Sequence, residues 1–318
     1  MNSVRLARAS RILAGAILAA TAAHPSAART LEVGPGHAYE SLAKAAADAR
    51  DGDRVTIAPG TYHECAVWRA SHLTIEGTGT NPGVVITGQA CMGKGLFVTV
   101  GNDITVKNIT FKGARVSDLN GAGIRGEGTN LTVEGARFID NQNGILAAGV
   151  PSSEVLIRDS YFRGNGTCEG ACAHAIYIGQ AGLLRVEHTT FVDTLQGHHI
   201  KSRALRTEII DCNIADGDEG TASFLIDVPN AGAVVIRDNR LQKGPNAENH
   251  VAAISIGEEG AVGAVGPRQK IVIANNQFRN TGDYLTSFVR NASTENAVLR
   301  GNRLAGSVIS LEGAGQVQ

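Results

Sequence analysis

Aromatic side chains are scarce in this chain of 318 residues, with 8 Phe, 5 Tyr and 1 Trp making up 4% of the total. Methionine (2), proline (8) and cysteine (5) are also few, and neither charge dominates, with 29 basic against 30 acidic residues. The balance of charge excludes a global basic field of the kind that draws proteins onto nucleic acid, so an anionic ligand must be met by local basic clusters. Beyond Ile12–Ala23 no apolar run approaches the roughly 20 residues that a membrane-spanning helix needs. A hydrophobic share of 43% with 19% charged residues nevertheless supports a large core and argues against disorder.

What is abundant is glycine, at 39 copies. Together with the low aromatic content, this points to many tight turns between many short elements rather than to a few long helices.

The chain opens with Arg5, Arg8 and Arg11, then ILAGAILAATAA, then Ser26-Ala27-Ala28. A charged start, a short apolar stretch and a small-residue exit form the pattern of a secretory signal peptide over residues 1–28. The expectation is a secreted or periplasmic protein that begins near Arg29 and has no membrane span once the signal is removed. Without those three arginines the count is 26 basic against 30 acidic residues, a net charge of about −4. Export makes disulfides permissible. Cys168 and Cys172 share the short segment CEGAC, and Cys65 with Cys91 would form a second pair, leaving Cys212; spacing alone proves neither pair.

One pattern recurs through most of the chain: apolar-x-apolar, four residues, then a large apolar residue. Its copies are ITVKNITF (104–111), LTVEGARF (131–138), VLIRDSYF (155–162), LRVEHTTF (184–191), TEIIDCNI (207–214), VVIRDNRL (234–241), IVIANNQF (271–278) and AVLRGNRL (297–304). Between them lie second short alternating segments, such as AGIRG at 122, AIYIG at 175, HIKSR at 199, FLIDV at 224 and AISIG at 253. Each repeat thus holds at least two strands and a third touch of the chain at the Phe position, joined by Gly, Asn and Asp turns. Such units cannot bury their apolar faces alone, so they stack as coils of a solenoid, with like residues piled on like. The recurrent Phe predicts one core ladder. Asn239, Asn276 and Asn302 predict an inward amide stack, with Cys212 in the same column as a structural residue.

This repeat resembles that of the right-handed parallel β-helix proteins of the pectin-lyase-like superfamily, over roughly residues 53–312. The expected fold class is therefore all-β, a single-stranded right-handed parallel β-helix over 53–318. A cap over 29–52 carries an amphipathic helix at about 39–50, which closes the open end of the first coil.

Strand alternation places the basic stretch GHHIKSR (197–203) on this solenoid. Burying Ile200 and Ser202 sends His199, Lys201 and Arg203 outward together. Aligning the coils puts Arg125, Leu146, Tyr177, Lys201, Asp227 and Ser255 in one outward column, and His174 and His198 at matching positions of adjacent segments. The resemblance implies a polysaccharide groove along this sheet, walled by the loops 164–173, 193–198, 216–221 and 242–252.

Cleaving a uronate by elimination requires a group that neutralises the sugar carboxylate, a base for the proton beside it, and an acid for the leaving oxygen. Arg203 suits the first, Lys201 or His199 the second and Tyr177 the third, with Arg125, His174, His198 and Asp227 as substrate contacts. The expected partner is an acidic polysaccharide, met by lyase or uronate epimerase chemistry; a non-catalytic glycan-binding or exopolysaccharide-assembly protein is the alternative. No nucleic-acid role is expected. No cofactor is required by this scheme, although the acidic loop DGDEG (216–220) offers carboxylates to Ca²⁺ without the regular ligand spacing of a dedicated calcium loop. Hydrolases of the same fold need paired carboxylates at the scissile bond, and no aspartate pair stands on the preceding outward column.

Overall fold

The computed structural model describes residues 28–80, 83–260 and 270–318. The expected signal peptide therefore lies almost wholly outside the described residues. Three long sheets of 12, 10 and 10 strands wind one coil after another, every neighbouring pair within them parallel. Each coil contributes one strand to each sheet in turn, as in 154–158 (first sheet), 161–163 (second) and 176–178 (third).

The repeat explains how a coil closes. Two residues after each central apolar position the backbone adopts positive φ, at Asn108, Gly135, Asp159, His188, Asp211, Asp238, Asn275 and Gly301. Asn, Asp and Gly tolerate that left-handed conformation, so the chain turns sharply from the first sheet into the second at one place per coil. The next residue points inward. There Asn239 and Asn276 donate from both backbone N–H and Nδ2 to the Oδ1 of the Asn one coil on, at 2.9–3.0 Å, and Cys212 N–H donates to Asn239 Oδ1 at 2.8 Å. Each Nδ2 also reaches a buried carbonyl, Ile209 O or Ile236 O, so the amides satisfy the turn backbone that no water reaches. Asn141 and Asn165 form a second ladder on the turns that follow the second sheet.

Apolar columns fill the interior. Phe111, Phe138, Phe162 and Phe191 stack face to face with centroids 5.3, 4.6 and 4.6 Å apart, fully buried. Cys65 bonds to Cys91 and Cys168 to Cys172, while Cys212 is buried and its thiol is pushed up to about 12 by desolvation. The capping helix is shorter than expected, Leu42–Asp48. Ser41 caps it by accepting from Lys44 N–H, and Glu64 ties both the Ser41 hydroxyl and the Leu42 N–H, so helix geometry begins only where these groups satisfy the first turn. The first sheet begins one rung before residue 53, because Thr30–Val33 pairs in parallel with Arg54–Ile57. No helix among the described residues is long and apolar enough to cross a membrane.

Candidate functional site

On the third sheet, Arg125, Leu146, Tyr177, Lys201, Asp227 and Ser255 are Cα partners on successive strands. Strand neighbours lie about 4.8 Å apart, so side chains on the same face meet in sequence. Lys201 Nζ stands 3.4 Å from Asp227 Oδ2 and 5.8 Å from the centre of the Tyr177 ring. The lysine and arginine reach the surface only in part, at 15% and 21% exposure for Lys201 and Arg203, which sharpens their electrostatics relative to free side chains.

Arg203 follows the strand Ile200–Ser202 and organises the outer layer. Its Nε donates to the Tyr177 phenol oxygen at 3.0 Å, and Nη1 donates to Asn230 Oδ1 at 2.7 Å. Its Nη1 and Nη2 grip the Glu259 carboxylate at 2.6 and 2.9 Å, and a Glu259 oxygen lies 3.7 Å from Lys201 Nζ. The Tyr177 oxygen accepts from the guanidinium, so the phenol's own proton remains available to donate outward.

Behind this layer the His174 and His198 rings stack at 4.7 Å. His174 Nδ1 accepts from His198 N–H at 3.0 Å, and His198 Nδ1 accepts from Phe224 N–H at 3.1 Å. With Nδ1 accepting, a neutral ring carries its proton on Nε2, and His198 Nε2 lies 3.5 Å from Asp227 Oδ2. Burial pushes His174 down to about 3, with the charges of Lys201 and Arg203 acting the same way, and burial also holds His198 well below its ordinary value. Both rings are therefore neutral at pH 7. Burial pushes Asp227 the other way, up to about 6, against the pull of Lys201. Glu259 is held below the usual carboxylate range by the hydrogen bonds from Arg203.

Of the expected site residues, the structure brings Tyr177, Lys201, Arg203, Asp227, His174 and His198 into one cluster. Arg125 shares the column two rungs away, beyond Leu146, where it faces Glu127 at 3.4 Å. His199 departs from the expectation that it faces outward. Its ring is fully buried, with Nδ1 2.7 Å from Thr194 Oγ1 and Nε2 2.9 Å from Asp216 Oδ1. The reason is local: the strand starts at Ile200, so strict alternation does not reach back to 199, and the ring turns into the interior of the preceding turn. The same contact bears on calcium. Asp216 is turned inward, accepting from Gly244 N–H as well as facing His199, and no group of three or more His, Cys, Asp or Glu suited to a metal occurs among the described residues. The DGDEG loop thus keeps one of its three carboxylates, that of Asp216, out of reach of a surface cation.

Glu259 and Asn230 carried no signal in the sequence. Glu259 lies 56 residues from Arg203 on a connection that breaks the repeat, so no column could have predicted the contact.

No protein-family model matches this chain, and no curated protein sequence matches it. Among solved structures it is similar to an alginate lyase from Paenibacillus sp., at TM-score 0.63 and 18% identity, covering 91% of this chain and 99% of that one. It is also similar to a pectin methylesterase from Aspergillus niger (TM-score 0.47, 16% identity, 92% of each chain). A PL6-family alginate lyase matches at TM-score 0.46 and 14% identity over 92% of this chain and 40% of its own. Its three continuous parallel sheets, its turn ladders and the likeness to the Paenibacillus alginate lyase give the chain a right-handed parallel β-helix fold.

Proposed function

We propose that the protein acts on an acidic polysaccharide on the outside of the third sheet, by β-elimination or by uronate epimerisation. The observation that carries this reading is the placement of Tyr177, Lys201 and the Arg203 fork on two adjacent rungs. There a cationic fork, an amine and a phenol proton converge on one wet face. The guanidinium already binds one carboxylate in bidentate fashion, the geometry a uronate carboxylate requires. The likeness to an alginate lyase supports the substrate class.

In elimination, Arg203 neutralises the sugar carboxylate and so acidifies the neighbouring C–H. Lys201 in its neutral form removes that proton; the electron pair becomes a carbon–carbon double bond, the glycosidic C–O bond breaks, and the Tyr177 phenol protonates the departing oxygen. Asp227 and the neutral His198 fix the position of Lys201. In epimerisation the same carbanion-like state takes a proton back on its other face and no bond to the next sugar breaks. Export to the periplasm or medium, where such polymers occur, belongs to the same proposal and agrees with the two disulfides.

Incubation with alginate and with polygalacturonate in D₂O, read by proton NMR, separates these outcomes. Vinyl proton signals identify elimination; deuterium beside the carboxylate in chains of unchanged length identifies epimerisation. If both polymers come back unchanged in length, saturation and deuterium content, the catalytic reading is wrong, and retained binding would then favour the glycan-binding alternative.

A further inference from the structure

A second basic surface lies on another wall of the solenoid. On the second sheet, Arg240, Gln277 and Arg303 are successive Cα partners, and Gln242, Arg279 and Ala305 form the next outward column. Arg240 and Arg303 therefore stand roughly 10 Å apart, two strand spacings of about 4.8 Å, with Arg279 on the rung between them and two residues along. The three surround a shallow cavity of about 330 Å³ that the arginine stems and the half-buried Leu304 line, with Leu241 and Phe278 turned into the core beneath it.

Their charges are not compensated. Among the described residues, most arginines are ion-paired: Arg54 with Glu76, Arg115 with Asp140, Arg158 with Glu134, Arg163 with Asp193 and Arg290 with Glu258, for example. Arg240, Arg279 and Arg303 have neither an ion pair nor a side-chain hydrogen bond there, and the sequence outside the described residues contains no Asp or Glu that could supply one. Of the carboxylates on the adjoining turn, Asp238 is paired with Arg237 at 2.5 Å, and neither it nor Asp211 forms an ion pair with the three arginines. Three exposed cations held close together without counter-ions raise the local potential for anions. The aliphatic arginine stems and Leu304, bordered by amides such as Gln277, suit the C–H face and the hydroxyls of a sugar. Along the solenoid axis the arginines repeat on the scale of a sugar in an extended chain.

We infer that Arg240, Arg279 and Arg303 form a second binding site for anionic sugar units, on a different sheet from the Lys201 cluster. It holds an unesterified polyuronate segment along the axis of the solenoid. Unlike the proposed reaction, it requires no chemistry and stands whether or not the third sheet is catalytic.

The test is calorimetric titration of the full chain, carrying Lys201→Ala so that the polymer is not cut, with a polyuronate hexasaccharide at low salt. Two variants of equal charge change are compared: R240A/R303A, and R50A/R69A, which removes two exposed arginines far along the chain. The expected result is a loss of about tenfold in the affinity of one site in R240A/R303A and none in R50A/R69A, with competition by dextran sulfate and not by neutral dextran. Equal weakening in both variants, no weakening in R240A/R303A, or competition by neutral dextran would overturn the inference. If the Lys201→Ala protein shows one site only, and R240A/R303A abolishes it, the second-sheet site stands, and the third-sheet reading is judged by the D₂O incubation of the unaltered chain. If that single site is insensitive to R240A/R303A, the second-sheet site is refuted.

Discussion

Glu259 occupies the place on Arg203 that the proposed mechanism reserves for the substrate carboxylate, so it must be displaced before a uronate can bind. Replacing it by Gln keeps its size and removes its charge, leaving the guanidinium free to accept an anionic ligand. The cost of displacement follows from the geometry. Glu259 is 46% exposed and Arg203 is 21% exposed, which places the pair among screened surface ion pairs, and its bidentate fork places it at the upper end of that class. About 1 kcal/mol is the appropriate magnitude, and at about 1.4 kcal/mol per factor of ten this is roughly a fivefold change in affinity. Initial rates on an unesterified polyuronate should therefore show KM lowered about fivefold in Glu259→Gln with kcat unchanged, and the advantage should shrink as salt screens both competitors. A raised KM, or a kcat reduced tenfold or more, would refute the reasoning. Either result would mean that Glu259 orients Arg203 for the reaction and does not compete with the substrate.

Asp227 should set the acid limb of the pH profile. Its carboxylate, 3.4 Å from Lys201 and raised to about 6 by burial, favours the ammonium over the free amine that the reaction uses, so Asp227→Asn should extend the active range toward lower pH; an unchanged limb in that variant would exclude the assignment. The neutral buried His174 predicts acid destabilisation. Its folded value of about 3 lies below the unfolded value of 6.5, so its contribution is complete above pH 6.5 and is lost as pH falls toward 3, with a ceiling of roughly 4–5 kcal/mol. Asp227, raised on folding, acts in the opposite sense between about 4 and 6 and offsets part of it. Thermal midpoints measured across that range should fall with pH, and less steeply in His174→Gln. Cys212 should stay silent toward thiol reagents in the native protein and react only in denaturant, since its thiol is buried and pushed up to about 12; rapid native labelling would contradict its place in the turn column.

Repetition made the fold legible. A Phe, Ile or Leu five residues after each central apolar position, and an Asn, Asp, His or Gly two residues after it, recur because every coil solves the same closure problem. The sequence thus displays the Phe ladder and the left-handed turn column directly. The register of Tyr177, Lys201 and Asp227 could be read for the same reason, since alternation and stacking fix it. What lay outside that periodicity was hidden. His199 falls one residue before its strand and follows the turn, where Asp216 and Thr194 draw it inward. Glu259 belongs to a connection without a repeat position, and only coordinates could join it to Arg203. The cap helix is shorter than its sequence pattern, because Tyr39 and Glu40 continue the amphipathic spacing while the cap at Ser41 sets where helical bonding starts.

The direct test of the proposed chemistry is the rise in ultraviolet absorbance from unsaturated uronate when unesterified alginate or polygalacturonate is incubated with the parent protein and with Lys201→Ala. The expectation under elimination is a steady rise on at least one polymer with the parent, and none with a Lys201→Ala protein whose circular dichroism and melting are unchanged. A folded Lys201→Ala protein that still produces the chromophore at the parental rate would contradict the account.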